Sequence, residues 1–154
     1  MMEVRNEVAE LLEAAMMKEI ASQAFYEAGQ SQTDDPGAKT LMRELAEGER
    51  RHYEMLQEFM ASGTGTRQSG REEAGTLRIS EYLEGADKLE GAGLQDTLIF
   101  AMKREQSAVE FYSRMMHLLQ TGEARELCER IVREELRHKR LLELFYDEYF
   151  YGEM

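Results

Sequence analysis

A repeat at an offset of 86 residues constrains this chain more than any other feature. Leu12, Ala15, Met16, Glu19, Phe25 and Tyr26 recur as Leu98, Ala101, Met102, Glu105, Phe111 and Tyr112. Ala38, Leu41, Glu49, Arg51, His52, Leu56 and Phe59 recur as Ala124, Leu127, Glu135, Arg137, His138, Leu142 and Phe145. No gap is needed between the two halves of either copy. Each copy therefore reads as one hairpin. Two copies predict a pseudo-two-fold arrangement in which matching residues face each other across the axis.

The hairpins are helical. Four segments carry apolar residues at alternating spacings of four and three, the inward stripe of a bundle helix. The first, about 3–29, has Val8, Leu12, Ala15, Glu19, Ser22 and Tyr26 on its seam. The second, about 36–61, has Ala38, Met42, Leu45, Glu49, His52, Leu56 and Phe59. The third, about 94–120, has Leu94, Leu98, Ala101, Glu105, Ala108, Tyr112, Met115 and Leu119. The fourth, about 123–147, has Ala124, Cys128, Ile131, Glu135, His138, Leu142 and Phe145. Asp34-Asp35-Pro36 offers a cap and a first-turn proline for the second helix, and Thr121 or Gly122 a cap for the fourth. Short loops make each pair an antiparallel hairpin. The segment 61–93, with a Gly- and Ser-rich start and a short helix expected over 79–89, is long enough to cross the length of a bundle. The expectation is one all-α domain over 1–154, a four-helix bundle of two hairpins joined by a long crossover.

The seams contain charges that a core should exclude. Glu49-Arg-Arg-His52 and Glu135-Leu-Arg-His138 are both Glu-x-x-His, which on a helix places both side chains on one face. One such match is weak. Here it occurs twice, in register with the repeat, and each copy has a seam Glu 30 residues upstream, Glu19 and Glu105. Buried carboxylates must be paired or bound to metal. No Lys or Arg occupies a seam position. An internal salt-bridge network would set two histidines against four glutamates and leave charge unbalanced. Two divalent cations would balance it, and Glu plus Glu-x-x-His from two hairpins is a known di-iron or di-manganese arrangement. The donor set suits iron or manganese better than copper, calcium or structural zinc. Zinc can still replace iron on purification.

Composition narrows the function classes. The net charge of −12 and the absence of a basic stripe argue against nucleic acid. No apolar run approaches the ~20 residues that span a bilayer. The N-terminus lacks the apolar core of a secretory signal, and Cys128 is a lone thiol, so a reducing cytoplasm is expected. Without a Cys-x-x-Cys pair the chain carries no iron–sulfur centre of its own.

Other residues are read more plainly. Tyr26 and Tyr112 lie two turns after the seam glutamates. Each is placed either to hydrogen-bond a ligand carboxylate of the opposite hairpin or to serve as an ordinary core aromatic. Cys128 is expected to pack, His117 to lie at the surface, and the methionines to fill the core. The aromatic stretch LFYDEYFYGEM is expected beyond the fourth helix, as a dimer contact or folded back on the bundle end.

The segments MMKEIASQAFYEAG, LMRELAEGERRHYEML, FAMKREQSAVEFYSRM and IVREELRHKRLLELF resemble the ferritin-like superfamily, and most closely its rubrerythrin-type proteins. The resemblance implies that Glu49 and Glu135 bridge two irons, that Glu19 and Glu105 are terminal ligands, and that His52 and His138 each serve one iron. It implies a site that reduces hydrogen peroxide or oxygen. Ala108 stands where rubrerythrins proper carry an extra Glu, so the implied ligand set is symmetric, closer to that of bacterioferritin. The rubredoxin domain of rubrerythrins proper is not found in this sequence, and electrons are expected from a separate donor such as a rubredoxin, or from substrate Fe(II). A homodimer is expected. Ferroxidase activity with iron storage or delivery is the alternative function, and a metal-stabilised binding or sensor protein without turnover is the third.

Overall fold

The computed structural model describes residues 2–62, 89, 91–119 and 122–152, with side chains from Val8 onward. Four helices make up the fold: α1 (Met2–Ser31), α2 (Pro36–Ala61), α3 (Leu94–Leu119) and α4 (Glu123–Tyr151). α1 packs chiefly on α2, and α3 on α4. Across the two hairpins, Tyr26 meets Glu105 while Glu19 meets Tyr112. One number rises as the other falls, so α1 and α3 run antiparallel. His52 against Glu134 and Glu49 against His138 set the same sense for α2 and α4. This is the expected four-helix bundle.

Local chemistry sets the boundaries. Asp35 caps α2, its Oδ2 accepting from the Ala38 amide at 2.8 Å, with Pro36 in the first turn. Gly122 is the N-cap of α4, its φ of 94° suits glycine, and no side chain among the described residues caps the helix. Thr121, the other candidate cap, lies outside the described residues, as does the expected short helix over 79–89 except for Leu89. That residue is wholly buried in the core beside Phe25, Met42 and Leu98.

α4 is longer than its seam suggested. It runs to Tyr151, so the aromatic stretch is helix rather than a tail. The reason is periodic: Leu142, Tyr146 and Phe150 follow at four-residue spacing, and Phe145, Tyr146 and Phe150 pack against the core cluster that holds Phe25, Met42 and Leu98. Tyr149 and Tyr151 stay half-exposed.

The apolar core is in two parts. One gathers Val8, Leu12, Leu56, Phe111, Met115, Cys128 and Ile131. The other gathers Phe25, Met42, Leu45, Leu98, Ala101 and Leu142. Between them lies a band of buried polar side chains. Cys128 is buried in the first part, where burial pushes its thiol up to about 12. His117 is exposed. Among the described residues no helix is long and apolar enough to cross a membrane.

Candidate metal centre

Both seam glutamates and both members of each Glu-x-x-His motif enter that band. Glu19 comes from α1, Glu49 and His52 from α2, Glu105 from α3, and Glu135 and His138 from α4; none is more than 2 % exposed. The structure brings all six sequence-predicted positions together. They form two overlapping quartets whose donor atoms lie within 4.8 Å of one another: Glu19, Glu49, His52 and Glu135, and Glu49, Glu105, Glu135 and His138. Glu49 and Glu135 belong to both quartets, and the other four to one each. His52 Nδ1 is 3.4 Å from Glu49, 3.5 Å from Glu19 and 3.8 Å from Glu135. His138 Nδ1 is 3.1 Å from Glu135, 3.7 Å from Glu49 and 3.8 Å from Glu105. The two imidazole rings stack with centroids 6.0 Å apart.

The cage is short of partners. Glu19 Oε1, Glu49 Oε1, Glu105 Oε1, Glu135 Oε2 and His52 Nδ1 are buried and make no hydrogen bond among the described residues. Buried polar atoms are rarely left so, because each costs about 1–3 kcal/mol. Hard oxygen and imidazole donors aimed inward without protein partners fit divalent metal ions.

Electrostatics agree with that geometry. Burial, then the Glu135 and Glu49 charges, hold the Glu105 carboxyl well above its usual range. Burial, then Glu49 and Glu19, do the same to Glu135. Burial also opposes ionisation of Glu49, but His52 and Lys18 outweigh it and hold this carboxyl at about 2. The metal-free cage therefore keeps protons on part of its carboxylates, and an incoming cation would displace them.

Tyr26 and Tyr112 take the first of their two predicted roles. The Tyr26 hydroxyl donates to Glu105 Oε2 and the Tyr112 hydroxyl to Glu19 Oε2, each across the hairpins. Burial and the neighbouring carboxylate push both phenols well above their normal value, so they stay donors. Phe25 and Phe111 pack edge-on against them.

Three neighbours of the cage escape the seam pattern. Lys18 is 2 % exposed, with Nζ 3.7 Å from Glu19 Oε2 and 4.0 Å from Glu135 Oε2. No seam position holds a Lys or Arg, yet a cation does reach the cage, because the long Lys18 side chain arrives from the position beside Glu19. Burial opposes its charge, but four surrounding glutamates, led by Glu19 and Glu135, raise its pKa. Glu134, about a third exposed, sits 3.0 Å from His52 Nε2 and fixes that ring from outside. Gly48 matches Glu134 in the repeat and backs the other imidazole. A Cβ there would come within 2.5 Å of His138 Cε1 and 2.8 Å of its Nε2. Gly48→Ala is therefore expected to push the His138 ring off its position and lower metal affinity at least about tenfold while leaving α2 helical, since Ala is a better helix former than Gly. Metal content after dialysis, beside far-ultraviolet circular dichroism, checks this; full metal retention would count against His138 as a ligand.

The family model for rubrerythrin matches residues 10–146, nearly all of the described bundle and its crossover. No curated protein matches the chain. Among solved structures, a hypothetical protein from Pyrococcus furiosus superposes with a TM-score of 0.69 at 23 % identity, over 96 % of this chain and 92 % of that one. A two-domain protein from Anabaena variabilis, with DJ-1/ThiJ/PfpI-like and ferritin-like domains, gives 0.72 at 15 % identity over 96 % of this chain and 41 % of that one. At these identities the two likenesses establish the ferritin-like fold.

Proposed function

We propose that this chain, which belongs to the rubrerythrin family, is a non-haem di-iron oxidoreductase that reduces hydrogen peroxide or dioxygen. The observation that carries the reading is the pair of overlapping buried quartets with orphaned donor atoms. Glu19, Glu49, His52 and Glu135 would hold one iron, and Glu49, Glu105, Glu135 and His138 the other, with Glu49 and Glu135 shared. Bound there, the irons would supply the two electrons that reduce an O–O bond.

The protein's own residues do the rest. Two apolar clusters close the band from both ends and keep bulk water from it. Tyr112 and Tyr26 hold Glu19 and Glu105 by one oxygen each and leave the other oxygen for the ion. Glu134 and Gly48 fix the two imidazoles from behind. Electrons return from a separate donor protein, such as a rubredoxin, in a reducing cytoplasm. The half-exposed Met17 and Ile20 of α1 and Leu136 and Leu144 of α4 support self-association, as a homodimer.

Ala108, buried at the position of the extra rubrerythrin Glu, favours ferroxidase activity with iron storage or delivery as the second reading. Stopped-flow mixing of the anaerobic Fe(II) protein with hydrogen peroxide and with oxygen separates the two. Faster oxidation by peroxide, with a small particle in size exclusion, is expected. Preferential oxidation by oxygen with accumulation of ferric iron would favour storage, and two bound ions that react with neither would leave a binding or sensor role.

A further inference from the structure

The ligands of the cage obey the pseudo-two-fold, but its surroundings do not. Lys18 and Arg104 occupy matching positions of the repeat and part company. Lys18 Nζ turns into the cage, against Glu19 and Glu135, and makes no hydrogen bond among the described residues. Arg104 turns away: its Nε donates to Ser22 Oγ at 3.0 Å and its guanidinium lies 5.3 Å from the Phe25 ring centre. One half of the cage therefore has a buried ammonium within 3.7–4.0 Å of two of its ligands, whereas among the described residues no Lys or Arg lies that near Glu105, on which the Arg104 guanidinium acts only from a distance.

We propose, on the reading that the cage binds two divalent cations, that Lys18 makes the two positions unequal, so that the cage fills in sequence: first between Glu105 and His138, then between Glu19 and His52. A fixed positive charge beside Glu19 repels a divalent cation on that carboxylate and competes with it for the same electron density. Glu135 is shared, so its contact with Lys18 weakens both positions, whereas the Glu19 contact weakens only one. Glu134 acts in the opposite sense on the His52 half, because its carboxylate on the outer ring nitrogen makes His52 a better donor. Glu134 is, however, about a third exposed and separated from the ion by the imidazole, so solvent screens it. Lys18 is buried, where solvent screens a charge far less than at the rim. The ammonium outweighs the outer carboxylate.

The test is an anaerobic titration of metal-free protein with Fe(II), in competition with a chromophoric chelator. Two binding constants at least about tenfold apart are expected for the native chain, and Lys18→Met, neutral and of similar length, should bring them within a few-fold by tightening the weaker step. Glu19→Gln should remove the weak step and Glu105→Gln the tight one, which decides the order even if Lys18→Met fails to fold by circular dichroism. Equal constants in the native chain, an unchanged gap in Lys18→Met, or loss of the tight step in Glu19→Gln would each overturn the proposal while leaving the metal centre in place. Failure of the native chain to bind Fe(II) at all would overturn the metal centre and this proposal together.

Discussion

Glu49→Ala and Glu135→Ala are each expected to strip the protein of half or more of its bound metal, whereas Glu19→Ala and Glu105→Ala should each leave one ion in place. The contrast follows from the quartets. Glu49 and Glu135 are members of both, so losing either removes a donor from two ions at once. Glu19 and Glu105 are each in one. A lost ligand in a buried site typically costs several kcal/mol, and ~1.4 kcal/mol is already a tenfold loss of affinity. Misfolding is not a competing explanation for metal loss in the Glu135 variant, because burial and the neighbouring Glu49 and Glu19 charges disfavour that carboxylate in the empty cage and its removal relieves them. The metal-free Glu135→Ala form should melt no lower than the native metal-free form, whereas metal-free Glu49→Ala loses a carboxylate that His52 and Lys18 hold ionised and should melt lower near neutral pH. Metal analysis per chain after gel filtration, with a thermal scan of the stripped proteins, reads both expectations. Full retention in both bridging variants would show that the six side chains do not hold the metal.

Most of this site was legible in the sequence, for a physical reason. A bundle helix has one inward stripe, and a carboxylate on that stripe needs a counter-charge. Glu19, Glu49, Glu105 and Glu135 stood out because they broke the apolar period, and the repeat showed that they broke it together. The bundle and its pairing followed from the same stripes. What escaped was whatever the stripe does not encode. Lys18 sits off the seam, and only its long flexible chain carries its ammonium inside. Glu134 is also off the seam and reaches His52 from the rim. Gly48 carries no side chain to register in any pattern, and its role appears only once His138 is seen lying against it. The fourth helix outruns its aliphatic stripe because its last turns are aromatic, with Tyr146 and Phe150 keeping the inward period.

Stripping the metal is expected to lower the melting temperature by roughly 15–30 °C near neutral pH, and by less near pH 5. Ligand linkage gives about 4 kcal/mol per ion at a thousandfold excess over Kd, and a chain of this size shifts by about 2–4 °C per kcal/mol. The pH dependence comes from the empty cage. Glu105 and Glu135 have folded-state pKa values raised above the ordinary 4.5, by burial first and then by neighbouring carboxylates, Glu135 and Glu49 for Glu105 and Glu49 and Glu19 for Glu135. Their contribution to stability is fully present below 4.5 and is lost as pH rises through their folded values. His52 is raised from 6.5, since Glu134, Glu19 and Glu49 outweigh burial, and it has the same sign: its contribution fades as pH rises above 6.5. Glu49, held at about 2, runs the other way, contributing above 4.5 and losing that contribution only as pH falls towards 2. The metal-free protein should therefore be most stable in mildly acid solution and weaken towards pH 8. The loaded protein should do the reverse, because each ion replaces the protons that the raised carboxyls hold, and binding tightens as those protons become easier to remove. Thermal scans of chelator-stripped and Fe(II)-loaded protein at pH 5 and pH 8 measure the difference directly. A metal-induced shift that is the same at both values, or larger at pH 5, would mean that the carboxyls of the empty cage are already ionised, and that Lys18 and the histidines alone balance their charge.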